Sequence, residues 1–293
     1  MNALRRTFCS VSALLGKELH QNDSVIRVIL KDVKRRNALS LAMIEELIKE
    51  TGILSWSRPA RVEFFLKAEA GENLHQKVFD RCSSLMMLIR RMQVPVIAEV
   101  GQMKWPIANT FFSACFKHVN GIAAAAGCQL VTSCDIVVAA DTSKFLVPGQ
   151  KVGLFCSTPG IPLARTVPHK IALDMLLTGE PIDAQSALRY GLVSRVVPES
   201  EVTIEALKVA QQIGRHSRSV TALGKAFFYS QTGLGLSDAY RSFNDSFLKN
   251  SFICRFGGKI MTENLKMEDA QEGINAFMEK RKPVFTHTDK KVV

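Results

Sequence analysis

The most constraining feature of the chain is a run of very small residues, 121–127, that stands between two apolar segments. It reads Gly-Ile-Ala-Ala-Ala-Ala-Gly, and residues 136–140 beyond it read as a short buried strand. This order predicts strand, glycine turn, helix and strand, an arrangement typical of layered α/β proteins. Small residues let the backbone N–H groups at a helix N-terminus approach a ligand oxygen closely. The run is therefore a candidate oxyanion site, with tight helix packing as the alternative.

Local patterns predict three further elements. Residues 25–30 are typical of a strand, and residues 78–92 have the apolar spacing of an amphipathic helix. Residues 40–50 are predicted to form a helix that Ser40 caps. Alternating strands and helices again indicate an α/β fold.

Several sequence blocks, spaced along the chain, carry a family resemblance. Together with the small-residue run, the blocks at 145–160, 177–180, 187–193 and 277–285 resemble the crotonase (enoyl-CoA hydratase/isomerase) superfamily, from about Val25 to Phe285. The blocks at 36–43 and 152–160 look most like a mitochondrial member of it. The resemblance implies an α/β fold with a crotonase-like ββα spiral. It also implies a C-terminal helical assembly region that packs subunits into homotrimers or hexamers.

The resemblance also suggests how the chain is divided. We expect a mitochondrial presequence at 1–20, a crotonase-like core at 21–233, a C-terminal helical region at 234–285 and a tail at 286–293. The basic, serine-containing start without an acid before Glu18 supports the presequence, although an ordinary N-terminus is the alternative. The family pattern is interrupted at about 51–75, 100–118 and 243–258. These abrupt junctions favour a variant splice product or an imperfect gene model, and a genuine binding loop is the rival interpretation.

Charge and cysteine content exclude several classes of protein. The net charge is +11 over 293 residues, but the basic residues are scattered, which disfavours nucleic-acid binding and leaves an anionic ligand such as CoA as a sufficient explanation. No apolar run is long enough to span a membrane. The seven cysteines form no CxxC pair and no zinc-like spacing, so we expect reduced, mostly buried thiols and no metal site.

The residues that carry hydratase chemistry are replaced in this chain. In the family, two glutamates position a water and transfer protons, while two backbone N–H groups stabilise the enolate of the thioester. The resemblance places Ala126 at one oxyanion position, Gln129 at the first glutamate and Gly149 at the second. An amide is not a practical general base, although Gln129 could orient a water or simply cap the pocket. Gly71 is the candidate for the second oxyanion N–H, with a plain turn glycine as the alternative.

No other side chain stands out as a substitute acid or base. Asp135 falls in a position that is usually structural in the family, and Asp141 and Glu180 fall in predicted turns. His75 could titrate near neutral pH, but we expect it to be a surface residue.

Binding of CoA is better supported by the sequence than catalysis. By resemblance, the basic run Lys34, Arg35 and Arg36 would meet the nucleotide end of CoA, and Phe277 and Lys280 would reach the CoA of a neighbouring subunit. A solvated basic face is the alternative. No separate cofactor is implied, because CoA is part of the substrate or ligand.

Two functional classes therefore stay open. The first is a mitochondrial acyl-CoA-binding protein of fatty-acid metabolism without ordinary enoyl-CoA hydratase activity. The second is an active lyase, isomerase or hydrolase on acyl-CoA thioesters that uses a site without the two glutamates.

Overall fold

The computed structural model describes residues 15–20, 25–30, 39–50, 72–101, 117–118, 121–240 and 257–292. The strands there are β1 (Leu15–His20), β2 (Val25–Leu30), β3 (Ile97–Val100), β4 (Lys117–His118), β5 (Ile122–Ala124), β6 (Ile136–Ala140), β7 (Lys144–Leu146), β8 (Ile182–Asp183) and β9 (Arg195–Val197). The α-helices there are α1 (Leu41–Glu50), α2 (Glu72–Arg91), α3 (Ala126–Ser133), α4 (Ser157–Thr166), α5 (His169–Thr178), α6 (Ala184–Arg189), α7 (Val202–Gly214), α8 (Arg218–Gln231), α9 (Leu236–Tyr240), α10 (Gly257–Leu265) and α11 (Glu268–Met278). Two 3-10 turns lie at Pro148–Val152 and Glu199–Glu201.

The described residues fall into two compact units. The first unit lies within Met1–Ile89 and Val96–Ala210, and the second lies within Arg90–Pro95 and Gln211–Val293. The domain boundaries expected from the sequence stay predictions beside this division. None of the helices in the described part of the chain has the length and apolar character needed to cross a membrane.

The first unit is built on two sheets and a hairpin. One sheet has the order β4-β3-β6-β9 with all neighbours parallel, and the other has the order β5-β7-β8 with β8 antiparallel to β7. In the parallel sheet Ile97 pairs with Ile136, and every residue of β3 is buried. Burial along the whole length of a strand is typical of parallel sheets that are covered on both faces, and in β3 it includes the charged residue Glu99. The predicted α/β fold is confirmed.

Three sequence-predicted elements can be compared directly. The strand at 25–30 is confirmed as β2, which pairs antiparallel with β1. The capped helix is confirmed as α1, since Ser40 Oγ accepts the Met43 N–H at 3.2 Å. The helix expected at 78–92 begins earlier, at Glu72, and ends at Arg91. Its first turns are largely exposed and have little apolar periodicity, so the sequence pattern did not predict that they are helical.

The segments with an unusual sequence are described only at their edges. Residues 15–20 of the expected presequence form β1, whereas residues 1–14 lie outside the described residues. Most of the segments at 51–75, 100–118 and 243–258 lies outside them as well. Within the first of these segments, His75 lies in α2 and is half-buried.

The second unit contains the helices near the C-terminus. Helix α8 begins at Arg218, ahead of residue 234 where the C-terminal helical region was expected. Its cap is Ser217, whose Oγ accepts the Val220 N–H at 3.4 Å. Residues 279–292 then turn back along α11, where Met267 and Lys291 form an isolated antiparallel bridge.

Candidate functional site

The turn between β5 and α3 has an unusual backbone conformation. Ala125 caps α3 with φ 48° and ψ −118°, a region that residues with a β-carbon rarely adopt. Its N–H donates to the Leu146 carbonyl of β7 at 3.0 Å, and its carbonyl accepts the Gln129 N–H at 3.0 Å. These two bonds fix the turn between β7 and the first turn of α3.

Ala126 is the first residue of α3 and is half-buried. Among the described residues no carbonyl accepts its N–H, as expected for the first turn of a helix. The N-terminal end of the helix dipole adds partial positive charge at this point. The geometry therefore suits the oxyanion donor that the sequence predicted, and that role stays a prediction.

The other end of α3 is tied to the parallel sheet by Asp135. Its Oδ2 accepts the Val96 N–H at 2.6 Å, and its own N–H donates to the Val96 carbonyl at 2.9 Å. The carboxylate thus fixes where α3 ends relative to β3. This geometry suits the structural role expected for Asp135 and not that of a substitute acid.

The side chain of Gln129 is turned into the protein core. Only 4% of the residue is exposed, and its Oε1 accepts the Cys82 thiol of α2 at 3.7 Å. Burial raises the pKa of Cys82 to about 11, so the partner of the amide is a neutral thiol. Gln129 therefore contributes to packing between α2 and α3, and its place at the first glutamate position stays a prediction.

Gly149, which the sequence predicts at the position of the second glutamate, has no room for a side chain. Gly149 lies in the 3-10 turn after β7, and its N–H donates to Cys156 Sγ at 3.2 Å. A β-carbon built on Gly149 would lie 2.4 Å from the Leu154 carbonyl oxygen and 2.7 Å from Cys156 Sγ. Leu154 also donates its N–H to the Gly149 carbonyl at 2.9 Å, which holds the loop in place. The loop therefore fills the space that a carboxylate at residue 149 would need.

The cysteines near this turn are reduced. Cys82, Cys128 and Cys134 are buried and Cys156 is half-buried, all as free thiols, which confirms the expectation for these four. Burial raises the pKa of Cys128 to about 12, so this thiol stays protonated at neutral pH. The other three cysteines lie outside the described residues.

The remaining candidate groups do not converge on the turn. Asp141 is exposed, and Glu180 pairs with Lys151 at 2.8 Å on the surface. Among the described residues, no three or more His, Cys, Asp or Glu side chains are grouped so that they could hold a metal ion.

The predicted CoA-binding residues are only partly visible. Lys34, Arg35, Arg36 and the second oxyanion candidate Gly71 lie outside the described residues. Phe277 lies at the end of α11 with 84% of its surface exposed, and Lys280 follows it with a left-handed φ of 55°. Both are available to a ligand, and their contact with CoA stays a prediction.

Comparison with known proteins extends these observations. A family model described as enoyl-CoA hydratase/isomerase matches residues 66–288. The enoyl-CoA hydratase domain-containing protein 3, mitochondrial, of Xenopus laevis is 44% identical over 285 residues, which cover 92% of this chain and 86% of the relative. The Homo sapiens protein of the same name is 44% identical over 282 residues, covering 91% and 82% respectively.

Solved structures of enoyl-CoA hydratase-like proteins also match this chain. The crystal structure of human enoyl coenzyme A hydratase domain-containing protein 3 matches with a TM-score of 0.74 and 42% identity, over 92% of this chain and 99% of that one. An enoyl-CoA hydratase of Mycobacterium smegmatis matches with a TM-score of 0.74 and 32% identity, over 93% and 99%.

Proposed function

Because this chain belongs to the enoyl-CoA hydratase/isomerase family, we propose that it is an acyl-CoA-binding protein of mitochondrial fatty-acid metabolism without ordinary enoyl-CoA hydratase activity. Hydration of an enoyl thioester requires one group that activates water and another that delivers a proton to the substrate. The chain retains the turn that presents a helix N-terminus, but not this pair of groups.

The observation that carries the proposal is the state of the two acid/base positions. Gln129 is an amide turned toward Cys82, and the β-carbon position of Gly149 is occupied by the Leu154 carbonyl and the Cys156 thiol. Neither position can take or deliver a proton at neutral pH, since a carboxamide does not titrate in this range and a glycine has no side chain. Binding of the thioester needs neither group.

The setting of this activity is inferred from the relatives. Both curated relatives named above carry the word mitochondrial in their names, which supports a mitochondrial location for this chain, and the matrix is the compartment that we propose. Phe277 and Lys280 would cover the adenine and pair with phosphates of CoA held by a neighbouring subunit, in a homotrimer or hexamer.

A second function is favoured by one observation. The Ala126 N–H at the start of α3 has no acceptor among the described residues, and such a donor stabilises a thioester enolate or a tetrahedral oxyanion. An active lyase, isomerase or hydrolase that relies on this donor and on other acid/base groups is therefore the alternative.

The first experiment is calorimetric titration of the purified chain with CoA and a panel of acyl-CoA thioesters, with enoyl-CoA turnover followed on the same samples. Binding without turnover supports the proposal. Binding with turnover supports the alternative, and a folded chain that binds no thioester contradicts both.

A variant without the Ala126 N–H separates the two functions further. Ala126→Pro deletes this donor at the first helical position, where proline is generally tolerated, and because proline also restricts the residue before it, here Ala125 with ψ −118°, turnover is compared only after the fold of the variant has been verified. His169→Pro, at the first position of α5, is the matched control. If the alternative holds, the first variant loses turnover and the second retains it, with both still folded by circular dichroism.

A further inference from the structure

The chain reverses direction after α11 through a Schellman motif. The Arg281 N–H donates to the Ala276 carbonyl at 3.0 Å, and the Lys280 N–H donates to the Phe277 carbonyl at 3.3 Å. Lys280 occupies the left-handed position of this motif, with φ 55°. Glycine is the usual residue there because a β-carbon is strained in that conformation. A lysine in this position requires other contacts to hold the reversal.

Glu272 supplies those contacts from the side of α11. Its carboxylate accepts both terminal nitrogens of Arg281, with Nη1 to Oε1 at 2.6 Å and Nη2 to Oε2 at 2.8 Å. The same Oε1 accepts the Val284 N–H at 2.8 Å. The hydrogen bonds from Arg281, and to a lesser extent the one from Val284, lower the pKa of Glu272 to about 2, so the carboxylate is ionised at neutral pH. One side chain thus ties down the chain on both sides of Pro283.

Asp269 holds the same segment further along. It lies one turn before Glu272 on α11, is 1% exposed, and accepts the Thr286 N–H at 2.7 Å and the His287 N–H at 3.0 Å. Glu268 adds a third anchor, since its N–H donates to the Lys290 carbonyl at 3.0 Å. Of these three residues on α11, Glu272 is the one that holds Arg281, the neighbour of Lys280.

The reversal fixes Lys280, and Phe277, three residues earlier in sequence, is held by α11 itself. Within residues 257–292, the Lys280 ammonium makes no ion pair, whereas Arg281 beside it pairs with both Glu272 and Glu279. An exposed aromatic ring and an unpaired cation are the chemistry that binds an adenine and a phosphate.

We infer that Glu272 is a positioning residue for CoA, because its clamp on Arg281 holds Lys280 where its ammonium meets a phosphate of the nucleotide. This inference rests on the proposed acyl-CoA binding. Without the clamp, the strained reversal is populated only part of the time, and affinity falls by the same fraction.

The test is calorimetric titration of CoA into the full chain and into Glu272→Gln. We expect the variant to bind about five- to tenfold more weakly. The matched control is Glu263→Gln. Glu263 lies on the neighbouring helix α10, has similar exposure, pairs with Lys266 and Lys291, and also has a pKa of about 2. We expect the control to bind CoA within about twofold of the unsubstituted chain.

A double-mutant cycle separates positioning from general destabilisation. In a Lys280→Ala background, Glu272→Gln should weaken binding no further, because the clamp acts through Lys280. Equal losses from Glu272→Gln and Glu263→Gln, or a full further loss in the Lys280→Ala background, would overturn the inference while leaving CoA binding intact. If the unsubstituted chain binds no CoA, the proposed function itself fails.

Discussion

Replacing Gly149 by alanine tests whether the second glutamate position is closed. The added β-carbon would lie 2.4 Å from the Leu154 carbonyl oxygen, 2.7 Å from Cys156 Sγ and 3.2 Å from the Cys156 backbone nitrogen. Two of these neighbours are backbone atoms, so the loop itself has to move. Overpacking of a filled site costs about 1–3 kcal/mol, and we expect a loss of about 3 kcal/mol because the backbone must yield. A typical domain has a stability of only about 5–15 kcal/mol.

The assay is urea unfolding followed by circular dichroism. Gly214→Ala is the control, because a β-carbon there meets no atom within 4 Å and Gly214 lies in helix α7. We expect this control to be neutral or up to about 1 kcal/mol more stable. Adding Cys156→Ala to Gly149→Ala removes one of the two obstructing atoms and should recover part of the lost stability. Recovery should be incomplete, because the Leu154 carbonyl still obstructs the site.

Two results would refute this reasoning. One is a Gly149→Ala variant that unfolds at the same urea concentration as the unsubstituted chain, which would show that the loop yields freely. The other is a folded Gly149→Glu variant that hydrates enoyl-CoA, because it would show that the position can still hold a working carboxylate.

Three further predictions follow from groups described above. Gln129→Glu should destabilise the fold by about 3 kcal/mol at neutral pH, because burial beside Cys82 raises the pKa of the new carboxyl group. The stability of this variant should therefore decline as the pH rises above about 4.3, the ordinary pKa of glutamate. Urea denaturation at several pH values measures this decline. Lys280→Gly should raise stability by about 1 kcal/mol while weakening CoA binding, and a variant that is both more stable and equally tight would contradict a role for the lysine. Burial alone would raise the pKa of Asp269, but hydrogen bonds led by Ser217 and Thr286 outweigh it and lower that pKa. The unsubstituted chain should therefore be more stable than Asp269→Asn above about pH 4 and lose this advantage on acidification. Melting temperatures of the two proteins that stay parallel down to about pH 2 would contradict this.

The features that could be predicted from the sequence are those with a local signal. Ser40 marked the start of α1, and the apolar run at 136–140 marked β6. The block around Ala126 predicted, by resemblance, that Gln129 replaces one glutamate, and this assignment stays a prediction. In each case the evidence lay within about ten residues of the feature.

The features that could not be predicted depend on contacts between distant residues. Gln129 and Cys82 are 47 positions apart, and no sequence pattern shows that the amide faces this thiol. Similarly, the clamp of Glu272 on Arg281 exists only because the chain turns back along α11. The turn itself had no signal, because its left-handed position holds Lys280 where a glycine would have marked it.

The loop at Gly149 has a consequence for the evolution of this chain. A mutation that introduces a carboxylate at position 149 meets the Leu154 carbonyl and the Cys156 thiol before it can contribute to any reaction. Since most proteins tolerate only a few kcal/mol of destabilisation, selection would remove such a mutant before catalysis could be rewarded. The loop has to withdraw first, through changes that bring no catalytic benefit by themselves. A single substitution at position 149 therefore cannot supply a working carboxylate to this turn, because the loop and the new side chain would have to change together.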